Sequence, residues 1–271
     1  MTTPITQDAV RLTGPWGSLT VQRQGATVSS WQPGGVERLF TSRDADLTQG
    51  RMWHGGIPLC TPWFGQAVGS GWTVPWGHGL VSRTRWEVVD SFADATGARV
   101  ALRTDATATA HLQGTERFPR DLSYRLDVTA DEKALTLTLT IASPTADAVV
   151  DAVFHPYFAT DAREETIDSL AGIPFHDYAT GTDGVDAAPV PAAGPVDRVY
   201  AGARSVTLPH AGLLLDGAGA DTVVLWNPGP GSPKVPDEEW AGFVCVEYGA
   251  LGRRIPAGET IEVGLSLRIA A

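Results

Sequence analysis

The sequence predicts an all-β protein, a large antiparallel β-sandwich, on three observations. Apolar and polar residues alternate with period two in run after run, and a 3.6-residue period is nearly absent. Glycine (30) and proline (19) punctuate the 271 residues between these runs as turn markers. About a dozen strands is more than one twisted open sheet holds comfortably, so they must stack into two sheets or close on themselves.

In chain order, the first strand candidates are Ser18 to Arg23, Ala26 to Trp31, Trp86 to Ser91 and Arg99 to Thr104. The clearest alternation follows, where Leu122, Tyr124, Leu126 and Val128 interleave with Ser123, Arg125, Asp127 and Thr129 to give a half-buried strand. Leu135, Leu137, Leu139 and Ile141 repeat the pattern against Thr136, Thr138 and Thr140. The short polar turn Asp131-Glu132-Lys133 joins the two as an antiparallel hairpin. Val149 to Phe154 is the next strand, and Asp161 to Leu170 is the one stretch that reads as a helix. Residues Ala179 to Pro195 are rich in Gly, Ala, Pro and Asp without periodicity and read as a surface loop, since the β pattern resumes beyond them. Ser205 to Leu208, Thr222 to Trp226 and Phe243 to Glu247 are further strands. The chain closes on a strand in which Ile261, Val263, Leu265, Leu267 and Ile269 face one way. No internal repeat is visible.

With 31 acidic against 20 basic residues the formal charge is −11, which argues against nucleic acid or an anionic membrane as a partner, because both are gripped by clustered cations. A hydrophobic fraction of 43% and a mean hydropathy of −0.05 exclude disorder and are enough for a large core. The N-terminus has neither a basic nor an apolar leader region, and no 18-residue apolar run occurs, so a soluble, cytoplasmic protein is expected. Cys60 and Cys245 lie far apart in apolar runs and read as reduced core thiols. Phosphate-binding glycine loops, GxSxG and HExxH are absent, and the six histidines never fall at metal-ligand spacing, so neither a metal nor another cofactor is expected.

Chemistry concentrates in a few places. Trp53, Trp63, Trp72, Trp76 and Trp86, five of the nine tryptophans, crowd one segment together with His54 and His78. A tryptophan face suits the C–H face of a pyranose ring, although any single one of these rings is more often a core residue, and the cluster carries more weight than any member. His155 ends an apolar run and precedes Pro156, which forces extended geometry on it; Tyr157 and Phe158 would hold the imidazole rigidly. It is either a general acid or base or a neutral core histidine. Glu247 ends the apolar run Phe243 to Val246, and a carboxylate in such a setting needs a partner or a pocket.

The segments His54-Gly-Gly-Ile-Pro58, Pro62-Trp-Phe-Gly65, His78-Gly-Leu80, Phe154-His-Pro-Tyr-Phe158, Asp197-Arg-Val-Tyr200, Leu225-Trp-Asn-Pro228 and Val244-Cys-Val-Glu247 come in the order and spacing of the hexose-6-phosphate mutarotases. In them the chain resembles this branch of the aldose 1-epimerases over nearly its whole length. The resemblance implies a single β-supersandwich of the galactose-mutarotase type over residues 1–271, and an aldose 1-epimerase that needs no cofactor. It implies that Glu247 is the general base on the anomeric hydroxyl and that His155 is the general acid on the ring oxygen. By the same resemblance His78 lies near the ring oxygen, Asp197 accepts hydrogen bonds from sugar hydroxyls, and Trp63 and Trp226 shape the pocket. The expected partner is a small sugar or sugar phosphate, and the expected state is a monomer.

Two arginines of the phosphate-specific branch are replaced here by His54 and Ser82. Arg83, Arg85 and His54 are the candidates to take over the anion, although on an extended strand Arg83 would face away from the side that residue 82 faces. Residues Gly229 to Glu239 also depart from the family pattern. A non-catalytic carbohydrate-binding protein is the alternative function, and a glycosidase using Glu247 and Asp197 is a third.

Overall fold

A computed structural model of the chain describes residues 8–45, 54–67, 72–202, 205–236 and 238–270. In order, the strands are β1 (Ala9–Gly14), β2 (Gly17–Gln22), β3 (Val28–Pro33), β4 (Leu59–Cys60), β5 (Glu87–Ala93), β6 (Ala98–Asp105), β7 (Ser123–Ala130), β8 (Ala134–Ser143) and β9 (Ala148–Phe154). Then follow β10 (Tyr157–Ala159), β11 (Pro174–Asp177), β12 (Thr182–Val185), β13 (Val196–Ala201), β14 (Ser205–Leu208), β15 (Leu213–Ala218), β16 (Thr222–Asn227), β17 (Phe243–Ile255) and β18 (Glu259–Ile269).

They form a small sheet β1-β2-β3 and two large antiparallel sheets. One large sheet runs β14-β15-β18-β8-β7-β6-β5. The other runs β12-β11-β13-β16-β17-β9-β4, with β10 added on β17. The period-two pattern works as expected in the first of these. Leu135, Leu137, Leu139 and Ile141 pair with Val128, Leu126 and Tyr124 on one side and with Val263, Leu265 and Leu267 on the other, and all are buried in the main core. The β7–β8 turn is tied by Asp131, whose carboxylate accepts from Lys133 N at 2.7 Å and Ala134 N at 2.8 Å. Tyr248 of β17 crosses from the other large sheet and donates its hydroxyl to Leu215 O of β15 at 3.3 Å.

Strand β16 is buried along its whole length because its sheet is covered on both faces. Val223 and Leu225 turn into the main core, whereas Val224 and Trp226 join a second apolar cluster with Tyr157, Val235, Phe243 and Cys245. That double burial explains why Thr222 to Trp226 and Phe243 to Glu247 read as apolar runs.

Two expectations are corrected. Asp161 to Leu170 is not a helix: Asp161 takes Arg163 N and its guanidinium, and buried Glu165 accepts from Thr160, His210 N and Ala211 N. These side-chain acceptors compete with a helical ladder, and only a 3₁₀ turn at Asp168–Leu170 forms. The α-helix among the described residues is instead Ala106–Thr109, capped by Asp105. The stretch from Ala179 to Pro195 is not purely a surface loop: it contains β12, and Val190 and Ala192 are fully buried. Neither cysteine forms a disulfide and both are buried, as expected. No helix of the described residues is long and apolar enough to cross a membrane.

Candidate active site

Cross-strand register assembles the site. Across β13, β16 and β17 one row is Val199, Val224 and Glu247, and the next is Asp197, Trp226 and Cys245. Where β9 meets β17, Phe154 lies opposite Tyr248, so the next residue, His155, falls beside Glu247. Residues in register share a face, which brings Asp197, Trp226, Glu247 and His155 to the side of the sheet away from the main core. That side is the floor of a cleft of about 1200 Å³.

At its base His155 Nε2 lies 3.3 Å from Glu247 Oε1, and both side chains are almost completely buried, at 5% and 2% exposure. Glu247 Oε2 has no protein partner. His155 is held as the sequence suggests: Pro58 O accepts its backbone N–H at 3.0 Å, and Tyr157 stacks on the ring at a centroid distance of 4.9 Å and 8°. Burial pushes the Glu247 carboxyl well above its ordinary range, Asp197 adds to this and Lys234 opposes it. Burial also drives His155 well below its ordinary value, helped by the charges of His78, His54 and Lys234. Both groups of the pair therefore lean toward their neutral forms.

His78 stands edge-on to His155 at 5.4 Å and to Phe64 at 5.3 Å. Its Nδ1 accepts Gly65 N–H at 3.4 Å, which leaves Nε2 as the protonated nitrogen of the neutral ring. Desolvation, then the charges of Lys234, His54 and Arg83, lower its pKa to about 4. The next residue is necessarily glycine: at Gly79 φ is +75°, and a Cβ would stand 2.1 Å from Thr61 O. Asp197 is half-buried; burial and Asp177 raise its pKa, and Lys234 lowers it.

The tryptophans separate. Trp63 lines the cleft, spends its N–H on Trp76 O at 2.9 Å, and packs against Trp72 and Trp76 at centroid distances of 4.9 and 6.2 Å. Trp86 is a core residue that donates to Val81 O, and Trp53 lies outside the described residues. Trp226 also lines the cleft, with the His54 ring stacked at 6.5 Å. The Gly-Gly after His54 is needed because a Cβ on Gly56, at φ +65°, would meet Val28 O at 2.3 Å.

Arg83 lines the cleft with its guanidinium 4.5 Å from the Trp76 ring centroid. The expectation that it faces away fails because Val81–Arg83 is a 3₁₀ turn, in which strand alternation does not apply. Ser82 is buried instead, and Arg85 is spent on an exposed ion pair with Asp8 at 2.8 Å. Two lining cations escaped the sequence reading: Arg117, stacked on Trp72, and Lys234, over Trp226. Both come from irregular segments that carry no periodic signal. No group of residues able to hold a metal ion occurs among the described residues.

Comparisons with known proteins place the chain in a family. The family described as Aldose 1-epimerase matches residues 8–268. A protein of Escherichia coli (strain K12) named "Putative glucose-6-phosphate 1-epimerase" is 27% identical over 266 residues, covering 91% of this chain and 85% of its own. A Salmonella typhimurium protein of the same name is 27% identical over 240 residues, covering 83% of this chain and 76% of its own. Among solved structures, a "putative mutarotase (YeaD)" from Salmonella typhimurium superposes with a TM-score of 0.79 at 21% identity, covering 99% of this chain and 96% of that one. A galactose mutarotase-like protein from Clostridium acetobutylicum gives 0.72 at 12% identity, covering 98% and 97%. These structures show the shared galactose-mutarotase-like fold, and with a family match from residue 8 to residue 268 the chain is an enzyme that belongs to the aldose 1-epimerase family.

Proposed function

We propose that the protein interconverts the α and β anomers of a hexose or hexose 6-phosphate, with Glu247 as general base and His155 as general acid. The observation that carries this reading is the buried His155–Glu247 contact at the base of the cleft. Glu247 takes the proton of the anomeric O1 hydroxyl while His155 gives one to the ring oxygen. The C1–O5 bond breaks, the aldehyde turns about C1–C2, and closure on its other face gives the other anomer.

Proton bookkeeping favours this pair. Before ring opening it is a carboxylate and an imidazolium; afterwards it is a carboxylic acid and a neutral imidazole. One proton has been gained and one lost, so the net charge of the pair is unchanged. Burial favours the neutral arrangement, so the ionic pair is the minor form of the empty cleft; ring opening discharges it and closure restores it. His78, neutral at physiological pH with Nε2–H available, suits a sugar oxygen, and Asp197 suits a sugar hydroxyl. Trp63 and Trp226 wall the ring in, with His54 and Arg83 at the rim. We place this chemistry on a monomer, and in the cytoplasm, where two buried cysteines outside any disulfide are at home.

Two relatives carry the name of a glucose-6-phosphate 1-epimerase, which makes that sugar the first to test. Two-dimensional exchange NMR at anomeric equilibrium, on glucose, galactose and glucose 6-phosphate, should show exchange above the buffer rate for at least one. Sugar binding with exchange held at the buffer rate would instead mean a carbohydrate-binding protein on this fold.

A further inference from the structure

The chain has 20 basic side chains, yet only Lys133 and Lys234 are lysines. Lys133 sits in the β7–β8 turn, whereas Lys234 lines the cleft with Nζ 5.2 Å from the Trp226 ring centroid. Among the described residues no carboxylate lies within ion-pair distance of that ammonium, so the ring face anchors it and its three N–H donors stay available.

Two further basic side chains line the same cleft. His54 stacks on the same indole, Arg83 lines the same cleft, and the charges of all three press on His78. Asp197 and Glu247 feel the Lys234 charge from the same cleft but stand outside ion-pair distance of it, so an anion bound there supplies its close counter-charge. An ammonium is a compact charge without the fixed fork of a guanidinium, so it accepts a phosphate or a carboxylate alike.

We propose that Lys234 is the specificity-determining residue of this cleft and binds an anionic group carried by the sugar. This rests on the anomer-exchange reading above. The anion is either a phosphate ester or the carboxylate of a hexuronate, and the test separates the two.

Anomer exchange is measured on glucose, glucose 6-phosphate and glucuronate with the unmodified protein, Lys234→Gln and Lys234→Arg. Equilibrium binding of the same sugars is measured by calorimetry. The expected result is a kcat/KM for one anionic sugar above that for glucose. Lys234→Gln should lower that ratio roughly 10-fold or more through KM, Lys234→Arg should recover part of it, and added salt should erode it. A ratio that Lys234→Gln leaves unchanged would overturn the proposal, as would equal handling of all three sugars by the unmodified protein. If no sugar is turned over, the reading of the function fails and the binding data decide the question for Lys234. Tighter binding of an anionic sugar that Lys234→Gln abolishes supports the proposal; equal binding of all three overturns it.

Discussion

At position 78 a non-glycine residue is held at φ +67°, a conformation that costs about 1–3 kcal/mol and persists where the surroundings impose it. The gain is an imidazole fixed beside His155 and kept neutral, with a pKa of about 4 in place of 6.5. An unfolded chain binds that proton first, so stability falls as the pH drops from 6.5 toward 4, by up to about 3 kcal/mol. The thermal midpoint of the unmodified protein should therefore fall further between pH 7 and pH 4.5 than that of His78→Gln. Equal falls would contradict the assignment. Glu247 has the opposite sign, because burial raises its pKa in the fold. Its unfolded form ionises near 4.5 while the folded form resists, so stability is lost as the pH rises above that value. Glu247→Gln should accordingly be the more stable protein at pH 8, by about 1 kcal/mol or more, and a lower midpoint for the variant would show that the carboxyl is not strained there.

At the scale of elements, the end of β16 fixes the segment that carries Lys234. Asn227, fully buried, accepts Gly194 N–H at 3.1 Å and Gly229 N–H at 3.0 Å, and donates to Trp240 O at 2.7 Å and Phe243 O at 2.8 Å. One side chain thus closes the loop that leaves β16 and returns to β17. On the other wall Asp151 does similar work, accepting Phe64 N–H at 2.8 Å and Gly252 N–H at 2.7 Å. Asn227→Ala leaves four backbone groups to find new partners and should cost about 2–4 kcal/mol in urea unfolding. Hydrogen exchange at the Gly229 amide should quicken in that variant. Unchanged protection would mean that the loop is held by other contacts.

For the whole molecule, the sandwich was legible wherever one face of a strand meets the core, as in the alternation of Leu135, Leu137, Leu139 and Ile141. It was less legible in short strands such as Pro174–Asp177 and Thr182–Val185, whose partners rather than their own patterns make them strands. His155, Glu247, His78 and Asp197 could be named from sequence because each sits in a compact motif, and the structure brings all four to one cleft. Lys234 and Arg117 could not, since tertiary contacts alone carry irregular segments to the cleft wall. Trp86 shows the reverse: near the other tryptophans in sequence, it is buried in the main core immediately before β5, the edge strand of the other large sheet. The central claim is that His155 and Glu247 work as one proton-exchanging pair, and anomer-exchange NMR on Glu247→Gln, His155→Gln and the double variant tests it most directly. Each single variant should lose about 10² to 10⁴ in rate, and the double variant should lose little more than either, because the two act as a unit. A Glu247→Gln protein exchanging anomers at the unmodified rate would contradict it.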